Sequence, residues 1–400
     1  MLRLYDTLSA SKRVFEPGGQ VVKLYVCGLT PYDATHLGHA FTFVSFDVLI
    51  RLLQYLGHEV QYVQNVTDVD DPLFEKAREL GVSHQVLAAR ETERFNADMR
   101  DLNVLPPNVQ PRASREIPDM VEIVKRLLEN GNAYQADGHV YYSIRTDPEY
   151  GKLFKGSREL MIELARQRGG NPDDPRRHDP LDFVLWRPAG EDEPRATSPW
   201  GAGLPGWHLE CSAMSLKYLG APLDIHGGGS DLIFPHHENE IAQSESATKV
   251  RPFARFWMHT GMVYLGGQKM SKSLGNMVFV RELVPEYGSD AVRLYLSGCH
   301  YRAELQHVPA LLERASRLAR ALTQALMLPS ESSSSGADLA EYRDRFIERM
   351  SDDLDTPGAI QVLRELGEGI QRRASMGGAV RDAQQLLCDL GAVLGLQLVA

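Results

Sequence analysis

A chain of 400 residues with 43% hydrophobic content can bury a substantial core, and the usual size of domains suggests two or three structural units. The net charge of -10 excludes a general basic field, so any phosphate-bearing ligand must be met by local basic groups, and a large nucleic-acid footprint is disfavoured. The four cysteines form no CxxC pair, which argues against a disulfide framework and leaves reduced thiols or metal ligands.

Neither end of the sequence has the pattern of a membrane or secretion signal. The segment MLRLYDTLSASKRVF mixes charged and polar residues where a signal peptide needs an apolar stretch. The apolar C-terminal segment AVLGLQLVA is too short to span a bilayer. We therefore expect a cytoplasmic protein without a membrane partner. A monomer is a separate expectation that does not follow from these segments.

The first predicted elements are a strand over residues 21–27 and a helix over residues 38–56. The helix ends before Gly57, a residue suited to a helix C-cap. Its apolar face comprises Phe43, Val44, Val48, Leu49, Leu52, Leu53 and Leu56. Residues 59–65 are again strand-like, so strand, helix and strand within about 45 residues predict a right-handed parallel crossover, which is half of a doubly wound α/β sheet.

Polar motifs follow both predicted strands, where such sheets bind their ligands. The first strand leads into CGLTPYDATHLGH and the second into NVTDVDD, so both segments are predicted to face one crevice. A second block of strand, glycine turn and helix, LDIHGGGSDLIFPHHENEIAQSESA, begins at Leu223 and could supply the other half of the sheet.

The remainder of the chain differs in character. Residues from about 110 to 200 contain helical segments followed by RQRGGNPDDPRRHDP, which is typical of a loop. Residues 330–336 (SESSSSG) have the composition of a flexible connector, and helical segments follow. We predict a doubly wound, Rossmann-like domain in two halves with an inserted connective subdomain and a helical C-terminal domain. The predicted bounds are 1–110 and 201–305 for the halves, 111–200 for the insert and 306–400 for the helical domain.

The first candidate catalytic motif is HLGH, residues 36–39, at the start of the predicted helix. Backbone N–H groups and the helix dipole favour an anion there, and His36 and His39 could stabilise charge on a transferring phosphate. Taken alone, these four residues are more typical of surface or capping histidines.

The second motif is KMSKS, residues 269–273. Lys269 and Lys272 could close over the pyrophosphate that leaves ATP and neutralise it as the bond breaks, whereas the alternative is a solvated basic turn. HLGH followed after a long interval by KMSKS is the paired signature of class I aminoacyl-tRNA synthetases. The two motifs together therefore favour the catalytic interpretation.

A third, dispersed set consists of Cys27, Cys211 and the segment PHHENE. His236 and Glu240, four apart on a helix, share a face and could point at one metal ion. Two thiolates, an imidazole and a carboxylate would form a four-coordinate zinc site, which could distinguish cysteine from serine because zinc prefers thiolate to hydroxyl. The alternatives are buried apolar roles for both cysteines and a satisfied core position for His237.

With these motifs in this order, the sequence resembles the cysteinyl branch of class I aminoacyl-tRNA synthetases from residue 2 to about residue 305, and more weakly at residues 352–359 (DDLDTPGA). The segments that carry the resemblance are YVCGLTPYDATHLGH, NVTDVDD, SPWGAGLPGWHLECSAMS, LDIHGGGSDLIFPHHENEIAQSE and KMSKSLGN. The resemblance implies the class I synthetase fold, an ATP-dependent, AMP-forming cysteine ligase, one Zn²⁺ per chain, and ATP with Mg²⁺ as a substrate.

The resemblance also implies roles for individual residues. Zinc would be held by Cys27, Cys211 and His236, with Glu240 as a candidate fourth ligand. The adenylation transition state would be served by His36, His39, Lys269 and Lys272. Cysteinyl-adenylate would lie along Cys27, Gly28, Leu29, Thr30, Thr42, Asn65, Val66, Thr67, Trp207, Gly229, Ser230, Asp231 and Val263.

Two relatives within that branch differ in the amine that receives cysteine. Cysteinyl-tRNA synthetases continue into an anticodon-binding module, whereas this sequence runs to Ala400, and its residues 311–400 carry ten arginines, no lysine and thirteen acidic residues. The mycothiol-pathway ligase lacks that module and joins cysteine to the amine of glucosaminyl-inositol. The segments TPYDATHLGHA, NVTDVDDPLFEKA, RGGNPDDPRRHDPLDFVLW, FARFWMHTGM and SGCHYR resemble it. We therefore expect cysteine, ATP and this amino-sugar as substrates and disfavour tRNA.

Two other hypotheses compete with this one. Glu240 and the spelling HHENEIAQSE follow the tRNA synthetases, and the insert reads QRGGNP where the ligases favour ERGGDP, which favours a compact cysteinyl-tRNA synthetase. A catalytically silent paralogue acting as a binding module is the third hypothesis, and the intact HLGH, KMSKS and metal-ligand candidates argue against it.

Overall fold

The computed structural model describes residues 1–32, 35–191, 193–270, 275–329 and 338–399, without the side chains of Lys269 and Asp338. The predicted connector over residues 330–336 and the predicted catalytic Lys272 therefore lie outside the described residues, as does the side chain of Lys269.

Strands and helices alternate through the first part of the described chain, and helices dominate the last part. The strands are β1 (Arg3–Asp6), β2 (Ser11–Val14), β3 (Val21–Leu29), β4 (Glu59–Val66), β5 (Ala133–Ala136), β6 (His139–Tyr142), β7 (Phe183–Pro188), β8 (Gly203–Pro205), β9 (Leu223–Gly229), β10 (Ala254–Thr260), β11 (Val263–Leu265), β12 (Gln268–Lys269) and β13 (Leu305–Gln306). The helices are α1 (Leu37–Tyr55), α2 (Asp71–Leu80), α3 (His84–Asp101), α4 (Ile117–Glu129), α5 (Arg158–Gln167), α6 (Trp207–Tyr218), α7 (Glu238–Thr248), α8 (Val280–Tyr287), α9 (Ser289–Ser297), α10 (Pro309–Leu326), α11 (Asp338–Ser351), α12 (Thr356–Ser375) and α13 (Arg381–Val393).

The central sheet has four strands in the order β10–β9–β3–β4, and every neighbouring pair is parallel. Leu24 of β3 pairs with Tyr62 on one side and with Ile225 on the other. The block that begins at Leu223 therefore supplies β9, as the sequence predicts. Alternate residues of β3 face opposite layers: Leu24 joins the core under α1, whereas Tyr25 joins the core with α6 and α7. Helices on both faces confirm the doubly wound α/β fold.

Helix α1 lies close to its predicted range. The predicted face is buried except at Leu56, which follows the helix and is 37% exposed, so the prediction was wrong at this residue. The chain leaves the helix there because Gly57 takes the left-handed conformation, with φ of 89°, and donates to the Gln54 carbonyl at 3.0 Å. By length and composition α1 could cross a membrane, but 67% of its apolar window is buried in the protein core.

Three strands of the inserted region and β8, which follows its predicted end at residue 200, form a sheet that the sequence pattern did not predict. Strands β5, β6, β7 and β8 form an antiparallel sheet in that order, beside the helical segments α4 and α5. Tyr142 pairs with Phe183, which lies beyond the loop segment RQRGGNPDDPRRHDP. Strands this short are stabilised by such long-range pairing, so their local sequence does not identify them.

Helices α10 to α13 share one hydrophobic core with α1 and the central sheet. A buried ion pair reinforces this junction, since the guanidinium of Arg293 on α9 contacts the carboxylate of Asp47 on α1 and both side chains are fully buried. Arg293 also donates to the carbonyls of Leu102 and Leu394, each at 2.8 Å. One side chain therefore joins α1, the end of α3 and the end of α13.

We predict that R293M lowers the free energy of unfolding by about 3–5 kcal/mol, because it leaves a buried carboxylate without its main cationic partner. Chemical unfolding monitored by circular dichroism measures the change. The control is R126A, which removes the exposed Arg126–Glu122 pair and should cost less than about 1 kcal/mol. Equal, small changes in both variants would contradict this role of Arg293.

Candidate active site

Two cysteines far apart in the chain meet at the carboxyl edge of the central sheet. Cys27 lies near the end of β3 and Cys211 lies on α6, and their Sγ atoms are 3.8 Å apart across a separation of 184 residues. Both are buried, with exposed fractions of 6% and 2%. Cys27 therefore lies at the strand end where the sequence predicted it, next to its expected partner Cys211.

His236 and Glu240 complete this cluster. His236 Nε2 is 3.1 Å from Glu240 Oε1, which in turn is 3.6 Å from Cys27 Sγ. The four ligand atoms of Cys27, Cys211, His236 and Glu240 all lie within 4.8 Å of one another. The sequence expectation was correct about proximity, but His236 lies in the π turn Ile233–His237 that precedes α7 rather than on the helix itself.

Two further histidines approach the same point. His237 Nε2 is 3.3 Å and His226 Nε2 is 3.6 Å from Cys27 Sγ, and His226 Nε2 is also 3.4 Å from Glu240 Oε1. Cys27, His226, His237 and Glu240 thus form a second group whose ligand atoms lie within 4.8 Å. Sequence reasoning did not consider His226, although its position in β9 beside the glycine turn could have indicated it, and it assigned His237 only a core role.

The donor set has the charge and chemistry that suit a zinc ion. Burial by itself would raise the pKa of Glu240, but His226 and His236 lower it to about 2. Burial likewise opposes ionisation of Cys211, yet the hydrogen bond from Cys27 and the neighbouring His236 lower its pKa to about 6. Glu240 Oε2 has no hydrogen-bond partner among the described residues. Buried sulfur, nitrogen and oxygen donors with an unpartnered carboxylate oxygen fit zinc.

A chain of hydrogen bonds orients the ring of His237. Its Nδ1 lies 2.8 Å from His259 Nε2, and His259 Nδ1 lies 2.7 Å from Thr7 Oγ1. Burial lowers the pKa of His237 well below its usual value and that of His259 to about 3. Both imidazoles are therefore neutral at pH 7, and each ring offers one donor and one acceptor along the chain.

The two histidines of HLGH begin helix α1. His36 is the N-cap, and its Nδ1 accepts hydrogen bonds from the N–H groups of Gly38 at 3.1 Å and His39 at 3.4 Å. The imidazoles of His36 and His39 stack with their centroids 3.9 Å apart. His36 thus has the capping role that the sequence left open, and both rings lie at the helix end that favours anions.

The predicted adenylate residues of β3 and β4 form a close backbone junction. Gly28 donates its N–H to Asn65 Oδ1 at 2.8 Å, and Asn65 Nδ2 donates to Thr67 Oγ1 at 3.0 Å. A Cβ atom on Gly28 would lie 1.7 Å from the Asn65 carbonyl oxygen, so only glycine fits. The side chains of Leu29 and Val66 are in the hydrophobic core, which leaves only their main chain to face a ligand.

Three other predicted residues make side-chain contacts with neighbouring elements. Thr42 Oγ1 is 2.8 Å from Thr260 Oγ1 at the end of β10, and the Trp207 ring centroid is 4.3 Å from that of His236. Thr30 Oγ1 donates to Asp70 Oδ2 at 3.4 Å.

The remaining predicted residues lie on separate elements. Gly229 ends β9 and is followed by the 3₁₀ turn Ser230–Leu232, where Arg168 of the insert donates to the Asp231 carbonyl at 2.9 Å. Val263 is on β11, in a separate three-stranded sheet with β12 and β13. The main chain of Lys269 is in β12 and pairs with Tyr264.

Comparison with known proteins identifies relatives of the whole chain. Residues 14–317 match the family described as tRNA synthetases class I (C) catalytic domain, and residues 345–399 match the DALR domain. A cysteine–tRNA ligase of Dehalococcoides mccartyi is 42% identical over 402 residues, which cover 100% of this chain and 87% of that protein. The L-cysteine:1D-myo-inositol 2-amino-2-deoxy-alpha-D-glucopyranoside ligase of Thermobispora bispora is 45% identical over 382 residues, which cover 95% of this chain and 93% of that protein.

Solved structures show the same fold at low sequence identity. The Mycobacterium tuberculosis methionyl-tRNA synthetase in complex with methionyl-adenylate superposes with a TM-score of 0.67 over 94% of this chain and 90% of its own, at 17% identity. The ternary complex of Agrobacterium radiobacter LeuRS superposes with a TM-score of 0.65 over 96% of this chain and 85% of its own, at 13% identity.

We predict that His259 makes the protein less stable as the pH falls below about 6.5. Because burial lowers the pKa of His259 from 6.5 to about 3, the unfolded chain gains a proton in this range that the folded chain does not. The contribution of His259 to the free energy of unfolding is therefore greatest above pH 6.5 and decreases toward pH 3.

Chemical unfolding at several pH values tests this effect in H259N, which should lose stability less steeply with falling pH than the wild type. H58N removes a half-buried histidine outside the cluster and is the matched control for the loss of one imidazole. Parallel pH dependence in H259N and the wild type would contradict the prediction.

Proposed function

Because the chain belongs to the class I (C) tRNA synthetase family and is an ATP-dependent cysteine ligase, we propose that it activates cysteine as cysteinyl-adenylate and transfers it to the amine of glucosaminyl-inositol. We place a zinc ion on Cys27, Cys211, His236 and Glu240, and ATP with Mg²⁺ as the second substrate. We place the reaction in the cytoplasm, where thiol ligands stay reduced.

The convergence of Cys27, Cys211, His236 and Glu240 supports this proposal more than any other observation. These side chains come from a strand, a helix, a π turn and a second helix, yet their ligand atoms lie within 4.8 Å. Buried polar groups are costly unless they are paired. A bound cation would pair the two thiols and the carboxylate that meet in the protein interior.

A zinc ion held by these residues would supply a centre that binds thiolate far better than hydroxyl, which selects cysteine over serine. His237 and His226 lie against the same cluster, so their imidazoles limit the space around Cys27. The bonds from Thr7 through His259 fix the orientation of His237. Selection of the substrate would thus depend on ligand chemistry and on a rigid wall of imidazole rings.

The protein forms no covalent bond to the substrates during adenylation. The carboxylate of cysteine attacks the α-phosphate of ATP, and pyrophosphate leaves, so the protein mainly positions the reactants and stabilises charge. His36 and His39 lie at the N-terminus of α1, where backbone N–H groups and the dipole favour phosphate oxygens. We assign Lys269 and Lys272 to the leaving pyrophosphate.

The adenylate would lie along the carboxyl edge of the sheet. Gly28 lets the β3 backbone approach Asn65 closely enough for a ligand to contact main-chain atoms of both strands. Trp207, beside His236, offers an aromatic face near the cysteine moiety. Thr42 and residues 229–231 complete the proposed pocket, and the main chain of Leu29, Thr30, Val66, Thr67 and Val263 supplies the rest.

The amino-sugar acceptor is supported by the Thermobispora bispora relative, which is 45% identical and named for this ligation. The charge of residues 311–400 is consistent with a small acceptor, since ten arginines are outnumbered by thirteen acidic residues and no lysine is present. The net negative charge of this region gives no basic field that would attract the phosphates of a tRNA.

A second candidate function is the charging of a tRNA with cysteine. Glu240 Oε1 lies 3.1 Å from His236 Nε2, so the carboxylate that follows the tRNA synthetase spelling is placed among the candidate ligands. Relatives named cysteine–tRNA ligase, such as that of Erwinia tasmaniensis, are 43% identical over 99% of this chain. The two candidates share the cysteine-activating reaction and differ only in the acceptor amine.

We predict that the purified protein contains about one zinc ion per chain and that C211A loses it, because two thiolates are the strongest donors of the set. Inductively coupled plasma mass spectrometry after dialysis measures the content. C299A removes a half-buried cysteine outside the cluster and should retain the wild-type content. Full zinc in dialysed C211A would show that Cys211 is not a ligand.

An acceptor competition tests the proposed function. The protein is given ATP and cysteine with glucosaminyl-inositol and tRNA side by side. We expect release of AMP and formation of the cysteinyl amide of the sugar, detected by mass spectrometry, with no aminoacylated tRNA on an acid gel. If aminoacylated tRNA forms and the sugar amide does not, the charging of tRNA would be the function and the proposed ligation would be rejected. Serine in place of cysteine is the control and should give neither product.

A further inference from the structure

A buried carboxylate of the C-terminal helical region enters the catalytic part of the molecule. Asp353, in the loop between α11 and α12, has a side chain with no exposed surface. Its Oδ1 accepts hydrogen bonds from the Tyr5 N–H at 2.8 Å and the Tyr301 hydroxyl at 2.6 Å. Its Oδ2 accepts from Arg302, with Nε at 2.8 Å and Nη2 at 2.6 Å. Asp353 is therefore a fixed hub for donors from two distant segments.

The backbone at this hub is held in a conformation that side chains disfavour. Asp353 and Leu354 have φ angles of 62° and 54°, in the left-handed region. Asp353 also donates its own N–H to the Arg3 carbonyl at 2.8 Å. Consecutive left-handed residues of this kind persist only where the surrounding contacts over-determine them.

Asp353 binds Tyr301 and Arg302, and the segment that contains them contacts strand β11. The Gly261 N–H donates to the Tyr301 carbonyl at 2.7 Å, and Val263 of β11 pairs with Leu305 of β13. A Cβ atom on Gly261 would lie 2.0 Å from the Ala303 carbonyl oxygen, so the two segments are in direct backbone contact. Displacement of Tyr301 would therefore displace the start of β11.

Strand β11 in turn pairs with β12, where the main chain of Lys269 lies opposite Tyr264. A continuous set of short contacts thus runs from Asp353 through Tyr301 and Gly261 to the hairpin that carries Lys269. We propose that Asp353 is a positioning residue for adenylation, which sets the location of this hairpin relative to the central sheet. The inference rests on the proposed function, in which Lys269 acts on the leaving pyrophosphate.

The test compares D353N with D352N in cysteine-dependent ATP–pyrophosphate exchange. The asparagine NH₂ of D353N would face the donors of Arg302 or Tyr301 and break the hub. Asp352 is the adjacent acid, but its side chain is 43% exposed and pairs with Arg3 and Lys12 at the surface, so D352N is the matched control.

We expect kcat of exchange to fall about ten- to a hundred-fold in D353N, since a small misplacement of a catalytic group has an effect of that size. KM for cysteine and the zinc content should equal those of the wild type, because the Cys27 cluster is not part of the hub. D352N should exchange at the wild-type rate. A folded D353N with wild-type kcat would overturn the inference, as would an equal loss in D352N.

A second variant covers a failure of D353N to fold. Y301F removes one donor to Asp353 and leaves Arg302 in place, so it should fold and lower kcat about ten-fold with KM for cysteine unchanged. Unchanged kcat in Y301F would overturn the inference. Absence of exchange in the wild type would instead reject the proposed function, so the two failures are distinguishable.

Discussion

The parallel pairing of β3 with β9 is the constraint on which the candidate site depends. It joins segments about two hundred residues apart and sets Tyr25 opposite His226 and Val26 opposite Gly227. Cys27 then follows beside the glycine turn that leads to the π turn and α7. Gly227 permits this arrangement, because a Cβ atom there would lie 2.1 Å from the Phe46 ring of α1.

Close backbone approach recurs around the site. A Cβ atom on Gly228 would lie 3.2 Å from the His237 ring, and one on Gly28 would overlap the Asn65 carbonyl. Because each glycine lacks a side chain, the elements that carry the polar groups can approach each other closely. The polar groups then meet in the protein interior, where charge interactions are strong and unpaired groups are costly.

Buried charge performs two different tasks in the molecule. In the cluster at Cys27, two thiols and one carboxylate lie among three histidines, and these sulfur, oxygen and nitrogen donors suit a cation. Between α1 and α9, Asp47 and Arg293 balance each other and Arg293 fills its remaining donors with carbonyl oxygens. The first arrangement is suited to a ligand and the second to holding the helical C-terminal region on the catalytic sheet.

The helical C-terminal region is therefore not a loosely attached module. Its helices share a hydrophobic core with α1 and β3, and its α11–α12 loop contacts β1 and the segment that supports β11. Any substrate-driven movement of the β11–β12 hairpin would have to occur against these contacts.

The sequence by itself determined the doubly wound sheet, α1 and the second half beginning at Leu223. These follow from local periodicity and glycine placement, because adjacent residues in the chain carry that information. The four residues of the sulfur, nitrogen and oxygen cluster were instead implied by the resemblance of long motifs to a known family. Only the tertiary structure brought His226 and His237 to Cys27, formed the insert sheet and placed Asp353 beside Tyr301. Those features arise from contacts between distant segments, and a short strand or a lone acid has no local pattern that specifies its distant partner.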